Sequence, residues 1–237
     1  MKTRNSMHTT SVVAGAVAFL VMAMAMTSTV YAKDKEKLPE VSKDGLHLLK
    51  NTKVRVAYAK PGVNLDQYTK VKILDCYVQF KKNWKKDYNL NEVGLDGRVQ
   101  DKDMVVIKQR LAAEFKKIFT KELQTKGGYQ VVDDVGPEVL LIRPAIVNLD
   151  VAAPDLVTYA GFKRVFVNSP GQMTLFMELY DSATSELLVR VIDPQQSNWG
   201  GEASRVSNKA AADQILRRWA DLLRSHLGDV KQNTGGS

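Results

Sequence analysis

The sequence predicts an α+β fold, a mixed and mostly antiparallel sheet with two long helices packed on one face. Three observations predict it. Two long segments, 104–125 and 207–227, carry apolar residues at helical spacing. The stretches before and between them hold short apolar runs, one of which alternates cleanly with polar residues. The resulting order, β-α-β-β-β-β-α, groups strands together instead of alternating each with a helix. With 44% apolar and 25% charged residues over 237 positions, the composition is that of an ordinary globular protein, free of collagen-like or low-complexity bias.

Residues 1–32 read as a secretory signal peptide. Lys2 and Arg4 supply the positive start, 11–26 is uncharged and largely apolar, and Val30 and Ala32 occupy the small-residue positions before a cut between Ala32 and Lys33. The apolar stretch is about 16 residues, short of the ~20 that a spanning helix needs. The following Lys33-Asp34-Lys35-Glu36-Lys37 run starts a solvated lead, and 33–53 is expected to be flexible. The mature chain is therefore expected to be periplasmic, without a transmembrane helix. It is not expected to be a lipoprotein, because position 33 is lysine and the single cysteine is Cys76. One cysteine makes no internal disulfide, and its place in an apolar strand pattern marks it as a buried hydrophobe.

Residues 54–228 are expected to form one domain. Its first extended piece is 54–59, followed by the turn Lys60-Pro61-Gly62. The run 71–80 reads as one strand, with Leu74, Cys76, Val78 and Phe80 on one side and Val71 and Ile73 on the other. Residues 81–102 are polar and irregular. Asp101 or Asp103 can cap the helix 104–125, whose Ile107, Leu111, Phe115, Ile118 and Leu123 recur on one face; Gly127-Gly128 ends it. Residues 129–133 and 139–151 read as strands, the second placed at an edge or bulged at Pro144, which lacks a ladder donor. Residues 164–168 have extended character. In 172–180, Met173, Leu175, Met177 and Leu179 face one way, with Gln172, Thr174, Phe176, Glu178 and Tyr180 facing the other; 187–192 is the antiparallel partner across the turn 181–186. Ser207 or Asn208 caps the last helix and Gly228 stops it, leaving 229–237 as a disordered tail.

The mature chain contains little that announces catalysis. A phosphate loop, a nucleophile elbow, a Ser-x-x-Lys pair and a zinc-helix motif are missing from it. Of its two histidines, His226 falls at the last turn of the final helix, where a cation favours the helix dipole, and His47 has no Cys or His neighbours, so no metal or cofactor is expected. Around Asn89-x-Asn91-x-Val93-Gly94 the carboxylates of a calcium loop are missing, and Asp133-Asp134 reads as a turn former. The net charge of +8 is diffuse, which argues against nucleic acid as a partner. One cluster is distinctive, with Lys81, Lys82, Lys85 and Lys86 flanking Trp84 and Tyr88 close by. Lysines and an indole suit anionic headgroups or an acidic envelope polymer; the same residues also make a solvated loop whose tryptophan caps the sheet edge. Trp199 is expected to plug the end of the sheet.

Several motifs together carry a family resemblance. Asp44-Gly45-Leu46, then Tyr58-Ala59-Lys60-Pro61-Gly62-Val63, then Leu65-Asp66-Gln67-Tyr68 and the strand 71–80, resemble the opening of the domain-of-unknown-function family 3313 (DUF3313). The segment 171–190, with Glu178-Leu179-Tyr180-Asp181 and Glu186-Leu187-Leu188, is similar to that family's late hairpin. The resemblance spans roughly 40–228 and implies a bacterial envelope protein, commonly described as a lipoprotein, with no activity or catalytic residues to carry over. The missing cysteine after the signal departs from the lipoprotein members.

The expected function is thus that of an exported, uncharacterised, non-enzymatic envelope binding or accessory module. Its contact surfaces would be the uncovered sheet face, with Phe176 and Tyr180, and the 81–88 loop; its partner would be an envelope protein or an anionic envelope surface. The alternatives are an exported hydrolase gathering a histidine with acids in a cleft, and a peripheral membrane-surface protein using the 81–88 loop.

Overall fold

The computed structural model describes residues 38–92, 94, 97–157, 164–167, 171–197 and 201–234. The signal segment, its cleavage pair Ala32 and Lys33, and Trp199 lie outside the described residues. The elements in order are β1 (His47–Leu48), β2 (Val56–Ala59), β3 (Lys70–Ile73), β4 (Tyr77–Phe80), α1 (Trp84–Leu90), α2 (Asp101–Thr125), β5 (Gln130–Val131), β6 (Val139–Val151), β7 (Arg164–Val167), β8 (Gly171–Asp181), β9 (Leu187–Gln196), β10 (Gly201–Ser204) and α3 (Arg205–Thr234). The main sheet runs β1-β2-β9-β8-β6-β3-β5, with β4 also paired to β6. Only the pairs made by β3 and β4 are parallel, so the sheet is mixed and mostly antiparallel, and the fold is α+β as the sequence predicts. β7 and β10 form a separate antiparallel pair.

The core lies between the sheet and α2 and α3. Met173, Leu175, Met177 and Leu179 of β8, with Leu140, Ile142 and Ile146 of β6, are buried against Phe115, Phe119 and Leu123 of α2 and Leu216, Trp219 and Leu227 of α3. Phe115 and Phe119, one turn apart, stack at 3.9 Å between ring centroids. Trp219 donates its indole N–H to the buried Asp193 carboxylate of β9 at 2.8 Å, which also accepts from the Arg55 backbone N–H (2.9 Å) and the Gln195 amide (2.7 Å). That carboxylate is satisfied by N–H donors, as a buried charge must be.

The run 71–80 is two strands. Ile73 pairs with Ile142 and Tyr77 with Ala145, so three residues on one side stand against two on the other. The extra residue shifts the side-chain phase, which places Val71 and Ile73 on the same buried face as Cys76, Val78 and Phe80. Pro144 lies opposite this interruption. Its strand is not at an edge: β6 is flanked by β3 and β4 on one side and β8 on the other, and the ring without an N–H sits where the neighbouring ladder is already broken. The irregularity of β6 against β8 falls further on, between Val147 and Asp150, where Asn148 has a φ of 53°.

Five further features differ from the sequence reading. The stretch 81–102 contains α1, and α2 begins at Asp101 with Gln100 as N-cap. Asp103 does not cap; it sits three residues in, accepting the Gln100 N–H at 2.8 Å in a capping box. The cap of α3 is Ser204 rather than Ser207 or Asn208: the Ser207 N–H donates to Ser204 Oγ at 3.2 Å, while Ser204 N–H donates to Ser207 Oγ at 2.7 Å. The helix runs past Gly228 to Thr234. Finally, within the lead expected to be flexible, β1 pairs with β2 and Leu46 is buried against Val56 and Tyr58. An apolar side chain inside the charged lead supplies the burial that holds it down.

Candidate functional site

The side chains on the face away from α2 and α3 form rows across the strands. Residues directly opposite in a sheet share a face, so the registers define each row. One row is Tyr77, Ala145, Phe176, Ile192 and Val56 from β4, β6, β8, β9 and β2. The next is Arg143, Glu178, Arg190 and Tyr58. A third holds Lys72, Leu141, Tyr180 and Leu187. A charged row thus lies between two mainly apolar and aromatic ones, the second of which carries Lys72 at its β3 end.

Glu178 is the centre of the charged row and only 2% exposed. Its Oε1 takes Arg190 at 2.7–2.8 Å, and its Oε2 takes Arg143 Nη2 and the Tyr180 hydroxyl, each at 2.7 Å. Arg190 also reaches Asp44 at 2.5 Å. Arg143 lies over the Tyr180 ring at 5.5 Å and Arg190 over Phe176 at 5.8 Å, placing both guanidiniums on aromatic faces. Burial pushes the Tyr180 hydroxyl above its ordinary range, and its bond to Glu178 adds to the rise. Burial alone would lower Arg190; its bonds to Asp44 and Glu178 outweigh that and hold the guanidinium charged.

The N-terminal segment covers half of this face. Leu46, Val56 and Tyr58 form a second small core with Leu48, Leu187 and Ile192, and the Tyr58 hydroxyl donates to the Pro39 carbonyl at 2.9 Å. On the other half Phe176 and Tyr180 are half-buried, and Tyr77 is 59% exposed. Phe176 and Tyr180, both singled out from the sequence, are therefore brought together. The structure joins Asp44, Arg143 and Arg190 to them, none of which the sequence marks as a site residue. Symmetry about the turn 181–186 would set Glu178 opposite Val189; a one-residue register shift between Leu179 and Tyr180 sets it opposite Arg190, and no sequence signal marks that shift.

The 81–88 residues lie elsewhere, beside α2. Trp84 is buried, stacked on Phe80 at 4.3 Å and tilted toward Tyr88 at 5.6 Å. The indole is thus a packing residue, while Lys81, Lys82 and Lys86 are exposed and Lys85 is half-buried. Lys81 pairs with Asp150 at 3.1 Å and Lys85 with Asp101 at 2.7 Å. A larger groove of about 830 Å³ separates α2 from α3 at their N-terminal halves, floored by Leu149 and Val151. Neither histidine lines it: His47 is exposed on β1, and His226 is exposed on α3, with Nδ1 2.8 Å from the Leu222 carbonyl. Burial pushes the Cys76 thiol up to about 12. Among the described residues no group of three His, Cys, Asp or Glu gathers as a metal site, and no helix is long and apolar enough to cross a membrane.

A family model described as "Protein of unknown function (DUF3313)" matches residues 44–223. Comparison with curated proteins gives no match. Among solved structures the chain is distantly similar to the PelC dodecamer from Paraburkholderia phytofirmans, at 8% identity and a TM-score of 0.36, covering 70% of this chain and 96% of that one. A variant of the same dodecamer gives 9% identity and 0.35, covering 71% and 95%. A PDZ domain protein from Parabacteroides distasonis gives 12% identity and 0.28, covering 52% of this chain and 29% of that one.

Proposed function

The chain belongs to the DUF3313 family over residues 44–223, and on that premise we propose that it is an exported, non-enzymatic binding module of the cell envelope whose open sheet face docks a protein partner. The observation that carries this reading is the buried Glu178 held between Arg143 and Arg190, with Phe176 and Tyr180 half-exposed beside it. Half-exposed aromatics and arginine are the residues that dominate protein interfaces. Arg143 is 58% exposed and Lys72 half-buried on the same face, so the complementary partner carries carboxylates around an apolar anchor. Export rests on the Lys2 and Arg4 start, the apolar 11–26 and the cut between Ala32 and Lys33. The periplasmic product then begins at Lys33, with one domain that takes in β1 and runs into α3.

The test is photo-crosslinking in intact cells from position 180, with position 117 on α2 as reference. The expected result is one dominant adduct from position 180, none from 117, and loss of that adduct in the Arg143→Glu variant. Equal labelling from both positions, or labelling indifferent to Arg143→Glu, overturns the docking face. N-terminal sequencing of the periplasmic product tests export: an uncut product retained in the cytoplasm overturns it.

A further inference from the structure

We propose that the cleft between α1 and α2 is a phosphate-binding site, independent of the sheet face. The cleft holds about 420 Å³. Its floor is the Phe80–Trp84 stack with Met104 beside it, and its walls carry Lys81, Lys85, Lys86 and Lys108 against a single carboxylate, Asp101. Asp101 is taken by Lys85, and Lys81 is turned to Asp150. Those two pairs leave Lys86 and Lys108 with no carboxylate in ion-pair reach among the described residues. Lys108 is moreover half-buried, one turn beyond Met104 on α2.

Unpaired ammonium groups over an apolar floor focus positive potential into the cleft. Lysine acts as a compact point charge, so a pair of them suits a multiply charged tetrahedral anion. The aromatic and methionine floor takes an apolar part attached to that anion. The ligand class is therefore a phosphate ester, whose source is a soluble molecule or the headgroup of an anionic phospholipid. Leu90, 73% exposed and one turn beyond Lys86, lies where a lipid surface would meet it.

The experiment uses the full chain and two probes, inorganic pyrophosphate by calorimetry and co-sedimentation with phosphatidylglycerol or phosphatidylcholine vesicles at low salt. The double variant Lys86→Gln/Lys108→Gln is compared with Lys50→Gln/Lys53→Gln, which removes the same charge from exposed positions in the β1–β2 connection. The expected result is saturable binding weakened about tenfold or more in the first variant and unchanged in the second. Pyrophosphate binding alone assigns a soluble ester. Preference for phosphatidylglycerol, reduced further by Leu90→Ser while pyrophosphate binding holds, assigns a lipid headgroup. Equal weakening in both double variants means a diffuse charge effect and overturns the site, as does binding of neither probe.

Discussion

Exchange of Glu178 for glutamine keeps the shape of the side chain and removes its charge. Glu178 accepts from Arg190, Arg143 and the Tyr180 hydroxyl at 2.7–2.8 Å. The glutamine has one acceptor oxygen, and its NH₂ must face a donor. Breaking a buried ion pair by removing one partner costs about 3–5 kcal/mol. Two features reduce that here: Arg143 is 58% exposed and regains water, and Arg190 keeps Asp44. The expected loss is about 2–3 kcal/mol. With a urea slope of about 2 kcal/mol/M, the midpoint falls by roughly 1–1.5 M. A double-mutant cycle with Glu178→Met and Arg190→Met isolates the pair and should return a coupling above about 1 kcal/mol. A midpoint that moves by less than about 0.3 M would show that the row is not desolvated, and the reasoning would fail.

Other outcomes follow from the same structure. Trp84→Ala should cost about 3–5 kcal/mol in thermal or urea unfolding, since the indole is buried on Phe80, while Leu90→Ser should stay within about 0.5 kcal/mol. The Cys76 thiol, pushed up to about 12 by burial, should not react with a thiol reagent in the native protein and should react fully in urea. Asp181 is held below the usual carboxylate range first by the Thr184 backbone N–H, with the Tyr68 hydroxyl and other turn donors adding to it. Its stabilisation is present above the unfolded value of about 3.9 and is lost as pH falls through the folded value, so Asp181→Asn should flatten the acid limb of a stability–pH curve. Tyr68 is raised to about 12, chiefly by burial; its contribution is complete below about 10 and is lost as pH rises toward 12, so Tyr68→Phe should flatten the alkaline limb.

What the sequence made legible is what depends on local period. The helical spacing in α2 and α3 and the alternation in β8 lead to the helices, the hairpin and the core residues Phe115, Leu216, Met173 and Leu179. The division of 71–80 was not legible, because it answers to Pro144, some seventy residues away in the neighbouring strand. α1 was hidden for a different reason: its lysine-rich seven residues have no periodic stripe, and Trp84 is fixed by docking on Phe80. In the candidate site, alternation is enough to find Phe176 and Tyr180. Arg143 enters only through the β6–β8 register, and Asp44 only once the N-terminal segment has folded back over the sheet.

The charged row also spans a boundary along its length. Toward its β2 and β9 end, Tyr58 and the neighbouring Leu46 pack beneath the N-terminal segment; toward its β6 end, Tyr77 and Ala145 of the adjacent row stay uncovered. Arg190 joins the two, holding Glu178 in the sheet and Asp44 in the segment. Desolvating such a cluster costs about as much as its ion pairs return, so an apolar replacement of the whole pair is often neutral in stability. The row is then positional: it sets where the segment stops and how Tyr180 is presented. The variant carrying both Glu178→Met and Arg190→Met separates the two roles. Its urea midpoint should recover most of what either single change loses, while the adduct formed from position 180 in cells should disappear. If stability and adduct return together, the row only supports the fold, and the aromatics alone carry the docking.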